Sequence, residues 1–508
     1  MSNMKAIIKI AVIYLMTISI LSCSDDFLNT VPLAEISDAT YWQSEQNATM
    51  WINYVYRSLP GVNDYRFDSM SDDCVGSGDL IAQGLQVPTS GLIGIKWDYG
   101  TIRHCMELLE KIDDIPDLSP ESKNKLTGQA HFIIAYRYFE MITLYRDIPF
   151  FEKTLPLEES DIPKTEKGVI LTYVLNQLDL AIDQLPLSWP VTEAGRVTKG
   201  AALALKARAL LYNNRWEEAA SAAKQVMDLG IYELHPNYNE VFLTSFNNKT
   251  KEVILAHQYA KDLYTHTLQF PYSFYTIGGT SGSLPLPALV NSYECIDGLP
   301  IDESPLYDPL DPWKNRDPRF HMNFIVPLET LAGVVYDPIN DLDDRTPART
   351  YIYFRKYIAD MTRQQRTSWV NWKLLRYADV LLMYAEAKNE ATGPDNSIYE
   401  AIDQIRERAG MPLLDREKYN TKETLRQAIR NERRVELAGE GLRYFDILRW
   451  KIAEDVLNMQ VVSFEIPGLL PIKIIHTRTF DPQKDYVWPI PQNAIDNAKK
   501  LEQHAEWK

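Results

Sequence analysis

The stretch from Gly195 to Gly230 constrains the fold of this chain more than any other. Its alanines recur at helical spacing on both sides of Asn213 and Asn214, at Ala201, Ala204, Ala207, Ala219, Ala220 and Ala223. Tandem asparagines favour a turn, and a glycine such as Gly230 favours a helix end because it adopts left-handed backbone readily. Small side chains let two helix axes approach closely. The stretch therefore predicts two helices packed against each other.

Trp216, with alanines three and four residues later, resembles a tetratricopeptide helix pair. A second pair is predicted over residues 374–410, with its turn at residues 393–394. No strict period relates the two pairs, so they predict a divergent helical array rather than a regular solenoid. The predicted fold class is mainly α: a tetratricopeptide-like helix-pair scaffold with a large irregular loop region and a few short strands, one of them at residues 252–256.

Residues 60–100 and 265–350 are rich in Gly, Pro, Asp and aromatic residues and show little helical period. Long irregular stretches are uncommon in compact proteins unless they have a function. We therefore expect the ligand site on these two regions. Residues 23–508 are predicted to form a single domain, with a helical half at 23–230 and the irregular loops and C-terminal helices at 231–508.

The N-terminal segment has the features of a targeting signal. Lys5 and Lys9 precede an apolar run at residues 10–21 that is too short to span a bilayer, which predicts a removed signal peptide at residues 1–22. The tetrapeptide Ile-Leu-Ser-Cys, which ends at Cys23, resembles a bacterial lipobox, in which the cysteine carries lipid. An ordinary secretory signal with a chance cysteine is the alternative. We favour the lipobox because Cys23 ends the apolar run and the chain has only four cysteines.

Charge and missing motifs exclude several function classes. The formal net charge of −16 argues against a nucleic-acid partner and against docking on anionic lipid. The chain lacks HExxH, GxSxG, P-loop and Rossmann motifs, so no cofactor is expected. Cys74, Cys105 and Cys295 lack zinc-ligand spacing, so no metal is expected, and both a disulfide and buried free thiols stay open.

Aromatic residues suggest a binding function. The chain has 29 Tyr and 11 Trp against 16 Phe, and rings with a polar group suit the C–H faces and hydroxyls of sugars. Several lie outside the helical stripes, namely Tyr65, Trp97, Tyr272, Tyr275, Trp313 and Trp369. The alternative for each of them is that the ring only packs a loop onto the scaffold.

Acidic clusters occur at Asp72-Asp73 and at residues 341–344. Neither has the spacing of an EF-hand, so solvated loops are expected rather than calcium sites. Asp72 and Asp73 are also candidates for hydrogen bonds to a sugar.

The segment 431–450 places charges on an otherwise apolar helix. Glu432, Arg433 and Glu436 fall within one turn, and Arg443 and Asp446 have the spacing to pair. A catalytic acid–base pair is one interpretation. We favour a structural ion-pair network, because charges that enter a helical core must be paired.

Seven segments, in order, resemble the SusD/RagB family, the surface glycan-binding lipoproteins of Bacteroidetes polysaccharide-utilisation systems. The first is Cys23 with the acidic residues after it and Phe27-Leu28. The others are residues 130–151 (containing AYRYFEMITLYRDIPF), 195–211, 316–320 (RDPRF), 375–387 (LRYADVLLMYAEA), 432–450 (ERRVELAGEGLRYFDILRW) and 486–495 (YVWPIPQNAI). Two details depart from the family: Arg146 stands where Gly is usual, and the C-terminus lacks an Asn-Pro-rich ending.

The resemblance implies a non-catalytic protein on the outer face of the outer membrane, held there by lipid on Cys23. It implies a partner, a SusC-like TonB-dependent transporter, over which the protein sits as a lid that delivers oligosaccharide. Two other functions stay open. One is a helical-repeat scaffold that binds only proteins, and the other is a surface glycosidase with two carboxylates brought together by folding.

The family's ligand residues come from variable loops, which match residues 60–100 and 265–370 here. Trp97 ranks first because relatives often carry an aromatic residue just before the helix expected near Thr101. The other candidates, in order, are Tyr275, Tyr272, Trp313 and Tyr65. Which glycan binds depends on how distant loops meet, and no local motif encodes it.

Overall fold

A computed structural model of the chain describes residues 41–341 and 350–508, and Cys23 lies outside them. The α-helices of this part are α1 (Glu45–Val55), α2 (Asp79–Ala82), α3 (Gly91–Gly94), α4 (Tyr99–Lys111), α5 (Pro120–Tyr145), α6 (Lys167–Gln184), α7 (Lys199–Tyr212), α8 (Trp216–Asp228), α9 (Gln269–Tyr272), α10 (Pro287–Val290), α11 (Arg319–Asn323), α12 (Tyr377–Thr392), α13 (Asn396–Ala409), α14 (Lys422–Glu436), α15 (Arg443–Arg449), α16 (Ala453–Leu457) and α17 (Gln492–Asp496). None of the helices described is long and apolar enough to cross a membrane.

The helix pair α7/α8 forms as its sequence predicts. The Thr198 side chain accepts a hydrogen bond from the backbone N–H of Ala201 and caps α7. The turn contains Asn214 with φ of 58°, and Gly230 follows α8 with φ of 65°. The alanines of both helices are buried, which lets α7 and α8 pack together.

Helix α12 is the centre of the C-terminal scaffold and packs against α8, α13 and α14. It forms the predicted second pair with α13, which ends at Gly410 in the left-handed conformation. The predicted start was wrong, because Leu374 lies in a strand and the helix begins at Tyr377. Every residue of that strand is buried, and in so short a run the spacing of the apolar residues Trp372, Leu374 and Leu375 does not separate helix from strand.

The strands form antiparallel pairs and no larger sheet within the described residues. The pairs are β1 (Cys74–Gly76) with β5 (Ser283–Pro285), β2 (Ile148–Pro149) with β3 (Lys164–Thr165), β4 (Val253–His257) with β10 (Trp372–Arg376), β6 (Phe324–Ile325) with β9 (Tyr353–Phe354), β7 (Thr330–Leu331) with β8 (Val334–Val335) and β11 (Gln460–Val462) with β12 (Ile474–Thr477). Strand β4 confirms the strand predicted at residues 252–256 to within one residue. The β1–β5 pair joins the two irregular regions to each other.

A buried ion-pair network fixes the C-terminal helices to the rest of the chain. Arg376 donates to Glu436 at 2.6 Å, to Glu252 at 2.9 Å and to Glu440 at 2.7 Å. Burial would raise the pKa of Glu436, but Arg408, Arg376 and other arginines outweigh it and hold that pKa well below its usual range. The predicted structural network is therefore confirmed.

One predicted pair within the network was wrong. Asp446 accepts from Arg433 at 2.8 Å and from Arg449 at 2.9 Å rather than from Arg443. Arg443 instead reaches Asp72, because helix α15 packs against the chain that precedes β1.

Cys74, Cys105 and Cys295 are buried and free, so the structure selects the thiol interpretation for these three.

Candidate functional site

The candidate site is a groove of about 550 Å³ between the start of α4, residues 149–162 and residues 494–501. Its wall contains the rings of Trp97, Tyr99 and Phe151, together with aliphatic side chains and prolines. A volume of this size lies within the range of about 300–1,000 Å³ usual for small-molecule sites.

Trp97 is held in the extended segment directly before α4. The next residue, Asp98, caps that helix by accepting from the backbone N–H of Thr101 at 3.2 Å. The Trp97 ring meets the rings of Tyr145 and Tyr99 edge to face, at centroid distances of 4.9 and 5.5 Å. Two rigid helices, α4 and α5, therefore fix the orientation of this half-buried indole.

Tyr99 and Phe151 form the adjoining wall of the groove. Their ring centroids are 5.6 Å apart with an interplanar angle of 32°. The Tyr99 hydroxyl donates to the carbonyl of Pro149 at 2.6 Å, and Tyr138 donates to the carbonyl of Phe151 at 2.8 Å. Burial raises the pKa of Tyr99 well above its ordinary value. These bonds hold the Tyr99 ring and the Phe151 backbone in place.

Polar groups lie at the rim of the groove. Arg103, one helical turn after Tyr99, has a side chain that is 64% exposed, with Glu107 3.9 Å away. Within the described residues, no acceptor lies in hydrogen-bond range of the Trp97 indole N–H. The groove thus offers apolar rings beside hydrogen-bond donors.

Two other predicted residues are accessible but do not line this groove. Tyr275 is 40% exposed, and its backbone N–H donates to Asp341 at 3.2 Å. Trp313 is half-buried and stacks on Phe320 at a centroid distance of 6.0 Å. The structure therefore does not bring these two rings together with Trp97.

Tyr272 and Tyr65 pack the interior, which corrects their place among the ligand candidates. Tyr272 is fully buried, and its hydroxyl donates to the carbonyl of Gly439. Its ring stacks on Phe354 at 4.6 Å. Tyr65 is also buried and meets the Tyr272 ring edge to face at 5.7 Å. Both rings pack the irregular regions onto the scaffold, which is the alternative interpretation given for these aromatic residues.

Asp72 and Asp73 are likewise buried, so neither the solvated loop nor the sugar contact predicted for them agrees with the structure. Arg434 reaches Asp72 at 2.8 Å and Asp73 at 2.6 Å, and Arg443 reaches Asp72 at 2.8 Å. Burial would raise the pKa of Asp72, but the two arginines outweigh it and lower that pKa. A carboxylate can be this deep in the protein because both cations accompany it.

Sequence reasoning missed Tyr99, Phe151 and Arg103. Arg103 lies on α4, and Phe151 ends the signature segment 130–151, so both were assigned to the scaffold. Tyr99 lies within the predicted ligand loop 60–100 but was not singled out. One signal was present: Trp97 and Tyr99 flank the capping Asp98, and two aromatic residues beside a helix start have few ways to be buried completely.

In residues 41–341 and 350–508, no group of three or more His, Cys, Asp or Glu side chains could hold a metal ion. Part of the acidic cluster at residues 341–344 lies outside these ranges.

The architecture defines a class of protein: a tetratricopeptide-like helical scaffold on which irregular segments build an aromatic groove. Residues 251–507 match the SusD family, and residues 93–211 match a family described as starch-binding and associating with the outer membrane. The chain belongs to the SusD family.

Relatives agree with this assignment over nearly the whole chain. A SusD-like protein of Formosa agariphila is 25% identical, covering 91% of this chain and 93% of its own. A SusD-like carbohydrate binding protein of Bacteroides fragilis has a TM-score of 0.83 at 28% identity, covering 91% of this chain and 100% of its own. A second SusD-like protein of Bacteroides fragilis has a TM-score of 0.82 at 27% identity, covering 94% and 100%.

Proposed function

We propose that this protein binds oligosaccharide or polysaccharide at the cell surface without catalysis and delivers it to a SusC-like TonB-dependent transporter. The observation that carries the proposal is the aromatic wall of the groove, formed by Trp97, Tyr99 and Phe151. Family membership supports it, because a Bacteroides fragilis relative is named a carbohydrate binding protein.

The geometry of the wall suits a sugar. A pyranose ring presents C–H groups on its faces and hydroxyls around its edge, so it needs an apolar platform with donors beside it. The Tyr99 hydroxyl is hydrogen-bonded, the Tyr99 and Phe151 rings pack against each other, and Trp97 lies beside them with a donor N–H. Binding to a preformed wall avoids the entropy cost of ordering side chains.

The lining of the groove supports binding rather than hydrolysis. A glycosidase needs two carboxyl groups on either side of the scissile bond, about 5–10 Å apart. The described residues that line this groove include no Asp or Glu. Arg103 and Ser160 can bind hydroxyls, but neither is a general acid for a glycosidic oxygen.

The anchor and the partner rest on the sequence and the family. Lipid on Cys23 would hold the protein at the outer membrane, and one matched family is described as associating with that membrane. Metabolic labelling with an alkyne fatty acid tests the anchor: wild type should label and Cys23→Ala should not. Labelling that persists in the variant would rule out Cys23 as the attachment site.

Glycan binding is tested by affinity electrophoresis of the mature protein in gels that contain one of a panel of polysaccharides. We expect retardation by at least one of them, and loss of it in Trp97→Ala. Tyr54→Ala is the matched control, because Tyr54 is 58% exposed and lies outside the groove. Circular dichroism checks that each variant is folded.

Two results would contradict the proposal. One is no retardation of the folded wild type by any polysaccharide in the panel. The other is equal retardation of wild type and folded Trp97→Ala, which would place binding elsewhere. Reducing sugar released by the purified protein would contradict the non-catalytic part.

A further inference from the structure

A second cavity, of about 420 Å³, lies where α5 ends and α6 begins, beside the α7–α8 turn and α15. Four of its lining side chains are cationic, Arg146, Lys167, Arg449 and Lys451, and none is acidic. This concentration of positive charge is notable in a chain whose net charge is −16.

The two arginines are neutralised within the protein. Arg146 pairs with Glu506 at 2.6 Å, and Arg449 pairs with Glu386 at 2.6 Å. Their charges therefore help to hold the fold and leave little attraction for a ligand.

The two lysines have no such partners. Among the described residues, no carboxylate lies within ion-pair distance of Lys167 or Lys451. The Lys451 ammonium lies 4.0 Å from the ring centroid of Tyr486, which also lines the cavity. Burial and, after it, the charge on Lys451 lower the pKa of Lys167. Asp147 offsets part of this effect, and its Oδ1 accepts from the Lys167 backbone N–H at 3.0 Å. The ammonium groups of both lysines nevertheless lie at one cavity without an ion pair among the described residues.

We propose that this cavity binds a carboxylate or sulfate group, with Lys167 and Lys451 as its counter-charges. The remaining walls include Leu171, Phe445 and Leu448, which suit the carbon skeleton of an organic anion. The cavity lies within the size range of small-molecule sites, so it has room for an acidic monosaccharide unit. The proposal does not rest on the groove beside Trp97, which has no residue in common with this cavity.

Isothermal titration calorimetry on the full mature chain tests the proposal, with sodium glucuronate, glucose and sodium sulfate as ligands at constant ionic strength. We expect glucuronate to bind and glucose to give no signal at this site. Lys167→Gln/Lys451→Gln should weaken anion binding by about tenfold or more, because each lysine would make a charge-assisted hydrogen bond. The matched control is Lys314→Gln, an exposed lysine outside both cavities, which should bind like wild type.

The ligands also separate the two sources of the anion. Binding of glucuronate but not sulfate assigns the site to an acidic sugar, and binding of both assigns it to oxyanions in general. Lys451→Gln alone removes an exposed, unpaired charge, so it keeps the test decisive if the double variant does not fold. Wild type that binds neither glucuronate nor sulfate overturns the proposal, as does unchanged anion binding by folded Lys451→Gln and the double variant.

Discussion

The interior around Arg376 and the groove beside Trp97 use polar and aromatic groups in opposite ways. In the interior, Arg376 and Glu436 are each at most 1% exposed, and each has several charged partners. In the groove, the rings lie half-buried, and the Trp97 indole N–H has no acceptor among the described residues. The first region pairs Arg376 and Glu436 with opposite charges of the chain itself, whereas the second has a donor without a partner in the described residues.

The difference shows why the signature segments identify the family without identifying the ligand. The charges of segment 432–450 join helices from distant parts of the chain, as when Glu436 meets Arg376 and Arg319. Removing any of them leaves a partner buried and uncompensated. The groove combines a few rings from helix ends and connecting segments, which can change without unfolding the scaffold.

Acidification should destabilise the ion pairs of the interior. Its effect on the free energy of unfolding should be the largest of the predicted effects. Arg208 and Arg433 outweigh the effect of burial on Asp379 and lower its pKa, and the pKa of Glu436 is lowered by the same kind of contact. A carboxylate with a depressed folded pKa adds stability above its unfolded pKa and loses it as the pH falls. The free energy of unfolding should therefore fall steeply below about pH 4. Urea unfolding from pH 7 to pH 3 measures it.

Several buried carboxyls act in the opposite direction, Asp68 among them. Burial raises the pKa of Asp68 well above its ordinary value, so protonation of Asp68 stabilises the fold as the pH falls toward its unfolded pKa. Among the described residues, carboxylates with a lowered pKa outnumber those with a raised pKa. The free energy of unfolding should therefore still fall as the pH falls. Stability that stays constant down to pH 3 would contradict this electrostatic account.

Glu436→Gln should have the next largest effect. The change removes one negative charge that faces Arg376, Arg319 and Arg408, and all three stay buried. Loss of one partner from a buried ion pair costs about 3–5 kcal/mol. Denaturant unfolding measures this cost against Glu217→Gln, an exposed glutamate with no ion pair to any described residue, which should unfold much like wild type. An equal stability of both variants would show that the network contributes little.

Gly441→Ala should have a smaller effect on the same region. Gly441 has φ of 75°, and an added Cβ would lie 2.6 Å from the backbone oxygen of Asp64. We expect a loss of about 2 kcal/mol, from backbone strain and from the displaced contact. Gly468→Ala is the control, because Gly468 has φ of 72° with open space at the Cβ position. If both variants lose the same free energy of unfolding, the backbone conformation alone causes the loss, and the contact with Asp64 contributes nothing.

The same contrast explains what the sequence could predict. The helix pairs and the ion-pair network follow local rules of spacing, capping and charge, so the bounds of α7 and α8 and the role of Glu436 could be predicted. Burial of Tyr272 and Asp72 could not, because it depends on Phe354 and Arg434 from remote segments. The groove was predicted only at Trp97, since walls such as Phe151 and Leu501 come from segments that are distant in sequence, and the neighbouring Tyr99 and Arg103 were not singled out.

Arg103→Gln should have the smallest effect on stability and thereby sharpens the comparison. The side chain is 64% exposed, and its contact with Glu107 at 3.9 Å is a surface pair. Surface substitutions usually change the free energy of unfolding by no more than about 0.5 kcal/mol, so the variant should unfold like wild type. If Arg103 donates to a sugar hydroxyl at the rim, the retardation of Arg103→Gln in affinity electrophoresis should nevertheless decrease. Unchanged retardation would remove Arg103 from the site, and a large loss of stability would mean that the groove also holds the fold.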